Sequence, residues 1–226
     1  MIYVTGDLHG SIDYWKITNS CFPKQKTLTK NDYVIICGDF GLVWDLKKEE
    51  RYLIGELSHR KFTTLFVDGN HENFDILNTF PVEFWHGGKI HKVSDSVYHL
   101  MRGQVFDIDG YRVFTMGGAS SHDKICRKEN ISWWKEELPN YEEYEEAMSN
   151  LDSVGWNVDI VLSHCAPNSI QDKINSGFQY DQLTRFLQEI KDRLSYSKWF
   201  FGHYHIDDDF DEKHHCLYHK IVKVDI

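Results

Sequence analysis

The 226-residue chain lacks an excess of positive charge, a long apolar run and a paired cysteine motif. Its 25 Lys and Arg residues against 35 Asp and Glu residues give a formal net charge of -10. This balance argues against a general binder of nucleic acid or membrane surfaces, because such proteins usually carry a basic face. A small local phosphate site remains compatible with it. No apolar run approaches about 20 residues, so no membrane-spanning segment is expected.

The five cysteines are odd in number and form no Cys-x-x-Cys pair. Neither a disulfide framework nor a cysteine-based zinc site is therefore expected, and reduced thiols favour a cytoplasmic protein. The chain also lacks internal repeats and linkers rich in Pro, Gly or Ser. Because a strand pattern occupies its first residues, no signal peptide is expected. We expect a single domain over residues 1–226, soluble and cytoplasmic.

Short apolar runs alternate with amphipathic stretches in the first third of the chain. Strands are predicted at Ile2–Thr5, Tyr33–Cys37 and Thr63–Val67, and a helix over 46–60, where apolar residues recur at helical spacing. Ser11 is predicted to cap a helix after the first strand. This alternation favours parallel strands joined by crossover helices.

The middle of the chain predicts a second, partly antiparallel sheet. Strands are expected at 97–101, Gln104–Ile108 and Tyr111–Met116, and Asp109-Gly110 between the last two is a strong hairpin signal. The acidic run 141–146 favours a solvated helix face. The remaining predicted elements are strands at 158–162, Lys198–Phe201 and 217–224 and a helix at 180–194.

Each parallel-type strand ends in side chains that commonly bind metals, mostly beside glycine. The five runs are Gly6-Asp7-Leu8-His9-Gly10, Gly38-Asp39-Phe40-Gly41, Gly69-Asn70-His71-Glu72, Ser163-His164-Cys165-Ala166-Pro167 and Gly202-His203-Tyr204-His205. In open α/β sheets, ligands bind beyond the carboxyl ends of the strands, so these loops should converge. Oxygen and imidazole ligands without thiolates suit manganese, iron, zinc or nickel, and one shared carboxylate can hold two such ions.

As an ordered set, these motifs resemble those of the calcineurin-like metallophosphoesterases. The matching residues are Asp7-Leu8-His9, Gly38-Asp39, Gly69-Asn70-His71-Glu72, His164 and Gly202-His203-Tyr204-His205, spread from residue 7 to residue 205. The resemblance implies an α/β fold, a four-layer α/β/β/α sandwich with two mixed β-sheets, and a binuclear metal centre. By matching position, one ion would be held by Asp7, His9, Asp39 and His205, and the other by Asp39, Asn70, His164 and His203.

Such a centre implies a metal-dependent phosphohydrolase acting on a small phosphomonoester or phosphodiester, with a nucleotide among the candidates. Two dications lower the pKa of a bridging water, so a metal-bridging hydroxide would be available for attack. Asp39 would bridge the ions, and His71 would protonate the leaving oxygen or stabilise the phosphoryl charge. Manganese is favoured, with iron, zinc and nickel as alternatives. Glu72 is expected to cap the following helix rather than to orient a ligand.

The second motif departs from the serine/threonine phosphatase branch, which has an Asp-Arg pair where Leu42-Val43 stand here. This departure argues against a protein phosphatase and removes the usual acidic partner of His71, for which Asp68 is the predicted substitute. The acidic net charge argues against a nuclease, so nucleic acid is not an expected partner, and no protein partner is indicated. A non-catalytic metal-binding module for partner contacts is the third alternative.

A cap or lid insertion is predicted around 118–156, in the long interval between the third motif and His164. Asp123, Arg127 and Trp133 are its predicted substrate residues, with a peripheral packing element as the alternative. Tyr204 is predicted either to stack on a base or sugar at the rim or to pack on the sheet. Ordinary surface or core positions are expected for the histidines outside the motifs, namely His59, His86, His91, His99, His122, His214, His215 and His219.

Overall fold

Two mixed β-sheets pack face to face, and helices cover their outer faces. The computed structural model describes residues 1–226. The strands are β1 (Ile2–Thr5), β2 (Tyr33–Cys37), β3 (Thr63–Val67), β4 (Val82–Trp85), β5 (Gly88–Ser94), β6 (Val97–Leu100), β7 (Gln104–Ile108), β8 (Tyr111–Met116), β9 (Ile160–Ser163), β10 (Lys198–Phe201), β11 (Asp208–Asp209), β12 (His214–Cys216) and β13 (Ile221–Lys223). The α-helices are α1 (Lys48–His59), α2 (Phe74–Leu77), α3 (Tyr141–Ser153), α4 (Asn168–Ile174) and α5 (Gln182–Arg193).

The first sheet has the strand order β13-β1-β2-β3-β6-β5-β4 and the second has the order β11-β12-β10-β9-β8-β7. The centre of each sheet is parallel, with β1, β2, β3 and β6 in one and β12, β10, β9 and β8 in the other. Antiparallel strands form the edges of both sheets. The parallel centres explain why successive strand-end loops lie at one edge of the molecule.

Successive residues of the central strands point into different apolar layers, because side chains alternate across a strand. Ile35 packs between the two sheets with Phe200, whereas the next residue, Ile36, packs beneath α1 against Leu57. On the second sheet, Val161 packs under α5 against Leu187. These layers define the predicted α/β/β/α sandwich. Fully burying one such aliphatic side chain contributes about 1.5–3 kcal/mol.

One predicted strand lies in the other sheet. Val97–Leu100 pairs in parallel with β3 and antiparallel with β5, so it belongs to the first sheet. The second sheet begins at β7, which forms the predicted hairpin with β8 around Asp109-Gly110. The β4–β5 hairpin was missed, because β4 is exposed or half-buried along its length and forms no apolar run.

Two further predictions near the strand ends are wrong. Ser11 caps no α-helix, because the segment between β1 and β2 contains only two short 3-10 helices, at Tyr14–Ile17 and Pro23–Thr27. The strand predicted over 217–224 is confined to β13. Three successive backbone N–H groups, of residues 218 to 220, donate to the Asp207 carboxylate and hold this part of the chain in a turn.

Helix α3 carries the acidic run and belongs to the layer that covers the second sheet. Its Tyr144 and Leu151 are buried against that sheet, while the acidic residues lie mostly on its outer face. Asn140 and Glu143 form a reciprocal capping box at its start. None of the helices combines the length and the apolar character needed to cross a membrane.

Candidate metal centre

The strand-end loops bring all the predicted ligand side chains together at one edge of the sandwich. Asp7 and His9 follow β1, Asp39 follows β2, Asn70 follows β3, His164 follows β9, and His203 and His205 follow β10. The first sheet therefore supplies four of these side chains and the second sheet supplies three. The site exists only because the two sheets end side by side.

Asp39 lies between two histidines and turns one oxygen towards each. Its Oδ1 is 3.3 Å from Nε2 of His164, and its Oδ2 is 3.4 Å from Nε2 of His9. Oδ1 also accepts the backbone N–H of His71 at 2.8 Å. Burial raises the pKa of Asp39, but the neighbouring histidines, His164 foremost, hold it well below its usual range. A carboxylate that turns one oxygen to each side can be shared by two cations.

One oxygen of the Asp7 carboxylate is buried and makes no well-aligned hydrogen bond. This oxygen, Oδ2, lies 3.2 Å from Nε2 of His205. Donor atoms of Asp7, His9 and His205 lie within 4.8 Å of one another. An unpaired buried carboxylate oxygen is costly, and a cation would satisfy it. The oxygen and imidazole donors therefore fit a divalent metal ion.

A second group of donors gathers around His164. Asn70 Oδ1 lies 3.3 Å from His164 Nε2, while the Asn70 amide nitrogen donates to Ser121 at 3.2 Å. The ring of His203 packs edge-on against that of His164, with 5.0 Å between centroids. Burial and the nearby His164 lower the pKa of His203 to about 3, which keeps its imidazole in the neutral form that binds metals.

Two of the histidines are oriented through their other ring nitrogen. His9 Nδ1 lies 2.8 Å from the Asp13 carboxylate, and His164 Nδ1 lies 2.7 Å from the Cys37 carbonyl oxygen. A carbonyl only accepts, so His164 Nδ1 donates the hydrogen and Nε2, which faces Asp39 and Asn70, is the nitrogen that could bind a cation. Asp13 and Cys37 carry no motif signal, and the sequence did not indicate these contacts.

The ligand loops have unusual backbone conformations. Four of the nine non-glycine residues with positive φ are predicted ligands, namely His9, Asp39, His203 and His205, with φ from 45° to 69°. Such conformations cost about 1–3 kcal/mol each and concentrate at functional sites. Gly69 is required for close approach, because a Cβ there would lie 2.1 Å from Asp39 Oδ1.

Glu72 holds the Asp39 loop rather than capping a helix, so the capping prediction is wrong. Its buried carboxylate accepts the backbone N–H of Phe40 at 2.6 Å and that of Gly41 at 3.3 Å. The following helix, α2, is capped by Asn73, whose side chain accepts the N–H of Ile76. Glu72 thus links the third motif to the second and holds the loop that carries Asp39.

Asp68 is not the partner of His71, contrary to the prediction. Its carboxylate is buried and bonds to His99 Nε2 at 3.0 Å and to the Arg102 guanidinium at 2.9 Å. Burial raises the pKa of Asp68, but Arg102 and His99 hold it well below its usual range. His99 in turn contacts His91, with 3.0 Å between their Nδ1 atoms. Asp68 therefore anchors the end of β3 through a buried network.

This network predicts a specific loss of stability in acid. Burial and His99 lower the pKa of His91 to about 4, whereas an unfolded histidine titrates near 6.5. Below about pH 6.5, His91 is protonated in the unfolded chain but stays neutral in the folded chain. The free energy of unfolding therefore falls as the pH drops towards 4. We expect His91→Gln to reduce the loss of unfolding free energy between pH 7 and pH 5 by about 1–2 kcal/mol. Urea unfolding at both pH values measures this.

The exposed His59 supplies the matched control for that experiment. His59→Gln should leave the pH dependence of the unfolding free energy as it is in the wild-type protein. An unchanged pH dependence for His91→Gln as well would contradict the role assigned to His91.

A polar cavity of about 210 Å³ opens beside the clustered ligands. Its lining residues are Asp39, Asn70, His71, Ser121, His122, Asp123, Arg127, His203 and His205. Nη2 of Arg127 lies 3.5 Å from Nε2 of His71, and Nε of Arg127 is paired with Asp123 at 2.8 Å. Burial lowers the pKa of His71. The nearby Asp39 raises this pKa, and the Arg127 guanidinium lowers it. The cavity thus combines an imidazole with a guanidinium.

Two predicted substrate residues lie outside this cavity lining. The Trp133 ring packs against Lys124, with 4.8 Å between Nζ and the ring centroid. Tyr204 packs with Phe201 against the second sheet, and its hydroxyl accepts the backbone N–H of Ala166 at 3.1 Å. Tyr204 therefore takes the sheet-packing alternative.

Two cavity residues, Ser121 and His122, were missed by the sequence reasoning. Ser121 bonds to the buried carboxylate of Glu137 through both its N–H and its hydroxyl. His122 lines the cavity, so the ordinary position expected for it is wrong. Their position a few residues after the end of β8 could have indicated them, but they show no spacing typical of metal ligands.

The fold and the ligand cluster are those of the calcineurin-like phosphoesterases. The model of that family matches residues 1–207, and the chain belongs to it. The clustered side chains able to hold divalent ions agree with this family assignment.

Three curated relatives with similar sequences are all lariat debranching enzymes. The chain is 24% identical to a lariat debranching enzyme of Drosophila pseudoobscura pseudoobscura over 90% of its length, and 26% identical to lariat debranching enzyme A of Xenopus laevis over 91%. It is 23% identical to the lariat debranching enzyme of Drosophila melanogaster over 78%. These alignments cover 42%, 42% and 38% of the relatives, so the chain spans about two fifths of their length.

Proposed function

We propose that the chain hydrolyses phosphodiesters at a centre of two divalent cations that share Asp39. The observation that carries this proposal is the orientation of Asp39, whose two oxygens each lie close to a different histidine, His164 and His9. The first ion would be held by Asp7, His9, Asp39 and His205, and the second by Asp39, Asn70, His164 and His203. Two cations, for which we propose manganese, would supply Lewis acidity towards the phosphoryl group and lower the pKa of water.

The side chains beside the centre have separate tasks in this proposal. His71 hydrogen-bonds to Asp39 through its backbone and directs its ring into the cavity, where it protonates the leaving oxygen or stabilises the phosphoryl charge. Arg127 lines the same cavity and binds a phosphoryl oxygen through its guanidinium. Asp123 pairs with Arg127 and holds the guanidinium in place. The segment around Arg127 would then act as part of the predicted lid.

The relatives favour a phosphodiester and bring nucleic acid back into consideration. All three are named for debranching lariats, and a lariat is a branched nucleic acid joined by phosphodiester bonds. The expectation against nucleic acid rested on the net charge of -10, which sums the whole surface and not the site. Two dications beside two carboxylates make the site locally positive, so it can attract phosphate while the outer surface stays acidic.

A pair of substrates with one leaving group tests the proposed reaction. We expect manganese-loaded protein to hydrolyse methyl p-nitrophenyl phosphate, a diester, with a higher kcat/KM than p-nitrophenyl phosphate, a monoester. A lariat RNA and a linear RNA of the same sequence then test whether branched nucleic acid is cleaved. A preference for the monoester would overturn the diester assignment. Stoichiometric metal without hydrolysis of any ester would favour a non-catalytic metal-binding module.

Arg127→Ala should raise KM for the diester about tenfold or more, because a charged hydrogen bond to the phosphoryl group is lost. Lys128→Ala is the matched control, since it removes the same charge from an exposed neighbour that does not line the cavity. Steady-state kinetics of both variants measure the difference. Unchanged KM and kcat for Arg127→Ala would remove this residue from the site.

A further inference from the structure

A row of stacked rings leads from the metal centre to the protein surface. The Tyr218 ring stacks on the His205 imidazole, with centroids 4.7 Å apart and planes 13° apart. His219 stacks on Tyr218 at 4.0 Å and 27°, and Trp15 contacts His219 at 5.2 Å. We call Trp15, Tyr218 and His219 the aromatic shelf. It joins two segments that are some 200 residues apart in sequence and that no motif connects.

The backbone beneath the aromatic shelf is held rigidly. N–H groups of Tyr218 and His219 donate to the Asp207 carboxylate at 2.8 Å and 3.1 Å. The Tyr218 carbonyl accepts the ammonium of Lys16 at 2.7 Å, and the same ammonium bonds to the Gly6 carbonyl at 3.0 Å. The shelf is thus tied to the first ligand loop. A surface fixed before binding loses little entropy when a ligand lies on it.

The outer rings of the shelf are open to solvent. Trp15 is 47% exposed, and the His219 side chain is also 47% exposed. We propose that the aromatic shelf binds a nucleobase, so that the substrate is a phosphodiester carrying a nucleoside. This inference rests on the proposed function, because the shelf adjoins the phosphoryl site only through His205. A base has a planar π-face and stacks on aromatic side chains without regard to its sequence identity.

The charges around the shelf favour a base over a second phosphate contact. The Tyr218 hydroxyl lies 3.4 Å from the Asp13 carboxylate, and His219 Nε2 lies 3.9 Å from the same side chain. Asp207 lies directly beneath the turn. Carboxylates in these positions repel an anion, whereas an uncharged heterocycle is tolerated. Stacking therefore replaces the basic face that the acidic chain lacks.

Substitution of Trp15 tests the shelf with two diesters that share one leaving group. The substrates are thymidine 5′-(p-nitrophenyl phosphate) and methyl p-nitrophenyl phosphate. We expect Trp15→Ala to lower kcat/KM about tenfold for the thymidine ester and to leave the methyl ester unchanged, with Trp15→Phe retaining most activity. Phe84→Ala is the control, since Phe84 is 75% exposed on β4, away from the site. Equal losses on both diesters, or no loss on either, overturn the inference.

Binding provides a second readout that does not depend on turnover. Fluorescently labelled AMP should bind the wild-type protein more tightly than Trp15→Ala, by about tenfold in Kd, with or without added manganese. Equal AMP affinity of the two proteins would overturn nucleobase binding by the aromatic shelf, even if the wild-type protein hydrolyses both diesters. If the wild-type protein hydrolysed neither diester, the proposed function would be overturned instead. The AMP-binding comparison would then still test whether the aromatic shelf binds a nucleobase.

Salt dependence distinguishes stacking from salt-sensitive polar contacts at the shelf. The ratio of kcat/KM for the two diesters should stay nearly constant between about 50 mM and about 200 mM salt, because both carry one phosphate charge and stacking releases no counterions. A ratio that falls steeply with salt would assign the nucleoside preference to salt-sensitive polar contacts and overturn the stacking role of Trp15.

Discussion

Asp39→Asn should empty both metal positions and reduce kcat/KM by about a thousandfold or more, since metal-dependent stabilisation of the phosphoryl charge is lost. Asparagine has the same size as aspartate and retains one oxygen that can accept the His71 N–H, as Oδ1 of Asp39 does at 2.8 Å. It lacks the negative charge and the second acceptor oxygen, which faces His9. The fold should therefore persist while the shared ligand is removed.

Metal content measured by elemental analysis, together with the thermal midpoint at several manganese concentrations, checks this result. The wild-type Tm should rise with free manganese, because a ligand bound only by the folded state stabilises it, and the variant Tm should not. Asp45→Asn, at an exposed aspartate beyond the same strand, is the control. Loss of one ion but not the other would mean that Asp39 binds a single cation.

His71→Ala should slow turnover about a hundredfold to ten-thousandfold while leaving the metal content unchanged. The imidazole lines the cavity beside Arg127 rather than the cluster around His164. Donor atoms of His9, Asp39 and His71 nevertheless lie within 4.8 Å of one another. The alternative is therefore that His71 is a metal ligand. Metal content that fell as far as in Asp39→Asn would make His71 a ligand.

The leaving group separates the two tasks proposed for His71. If His71 protonates the leaving oxygen, the loss should be large for an alkyl diester and small for a p-nitrophenyl diester, whose leaving group needs no proton. An equal loss on both substrates would assign His71 to stabilisation of the phosphoryl charge. His59→Ala, at a surface position on α1, should change neither rate.

Patterns in the sequence predicted the fold and the convergence of the ligand loops because both depend on local rules. Continuous apolar runs such as Tyr33–Cys37 identify buried parallel strands, and the carboxyl ends of such strands lie at one edge of a sheet. The resemblance to a family then assigned a position to each candidate ligand. The structure brings these side chains together, and their individual roles remain proposals that the variants above test.

The remaining features depend on contacts between distant segments, which no local pattern reports. β6 belongs to the first sheet because it pairs with β3, although its nearest following strand in the chain, β7, belongs to the second sheet. Glu72 accepts N–H groups from the Asp39 loop, and Asp68 pairs with Arg102, each across about 30 residues. Trp15 meets His219 from the other end of the chain. Such contacts become visible only when the sheets are assembled.

The division of the ligands between two sheets has a consequence during protein synthesis. A nascent chain that has emerged only as far as β8 carries Asp7, His9, Asp39 and Asn70 but none of the histidines after β9 and β10. In the proposed two-cation centre, these four donors would lack their partners from the second sheet, and a metal site rarely exists before the chain folds. We therefore expect both cations to be captured only after residue 205 has left the ribosome, so that metallation would report that the two sheets have docked.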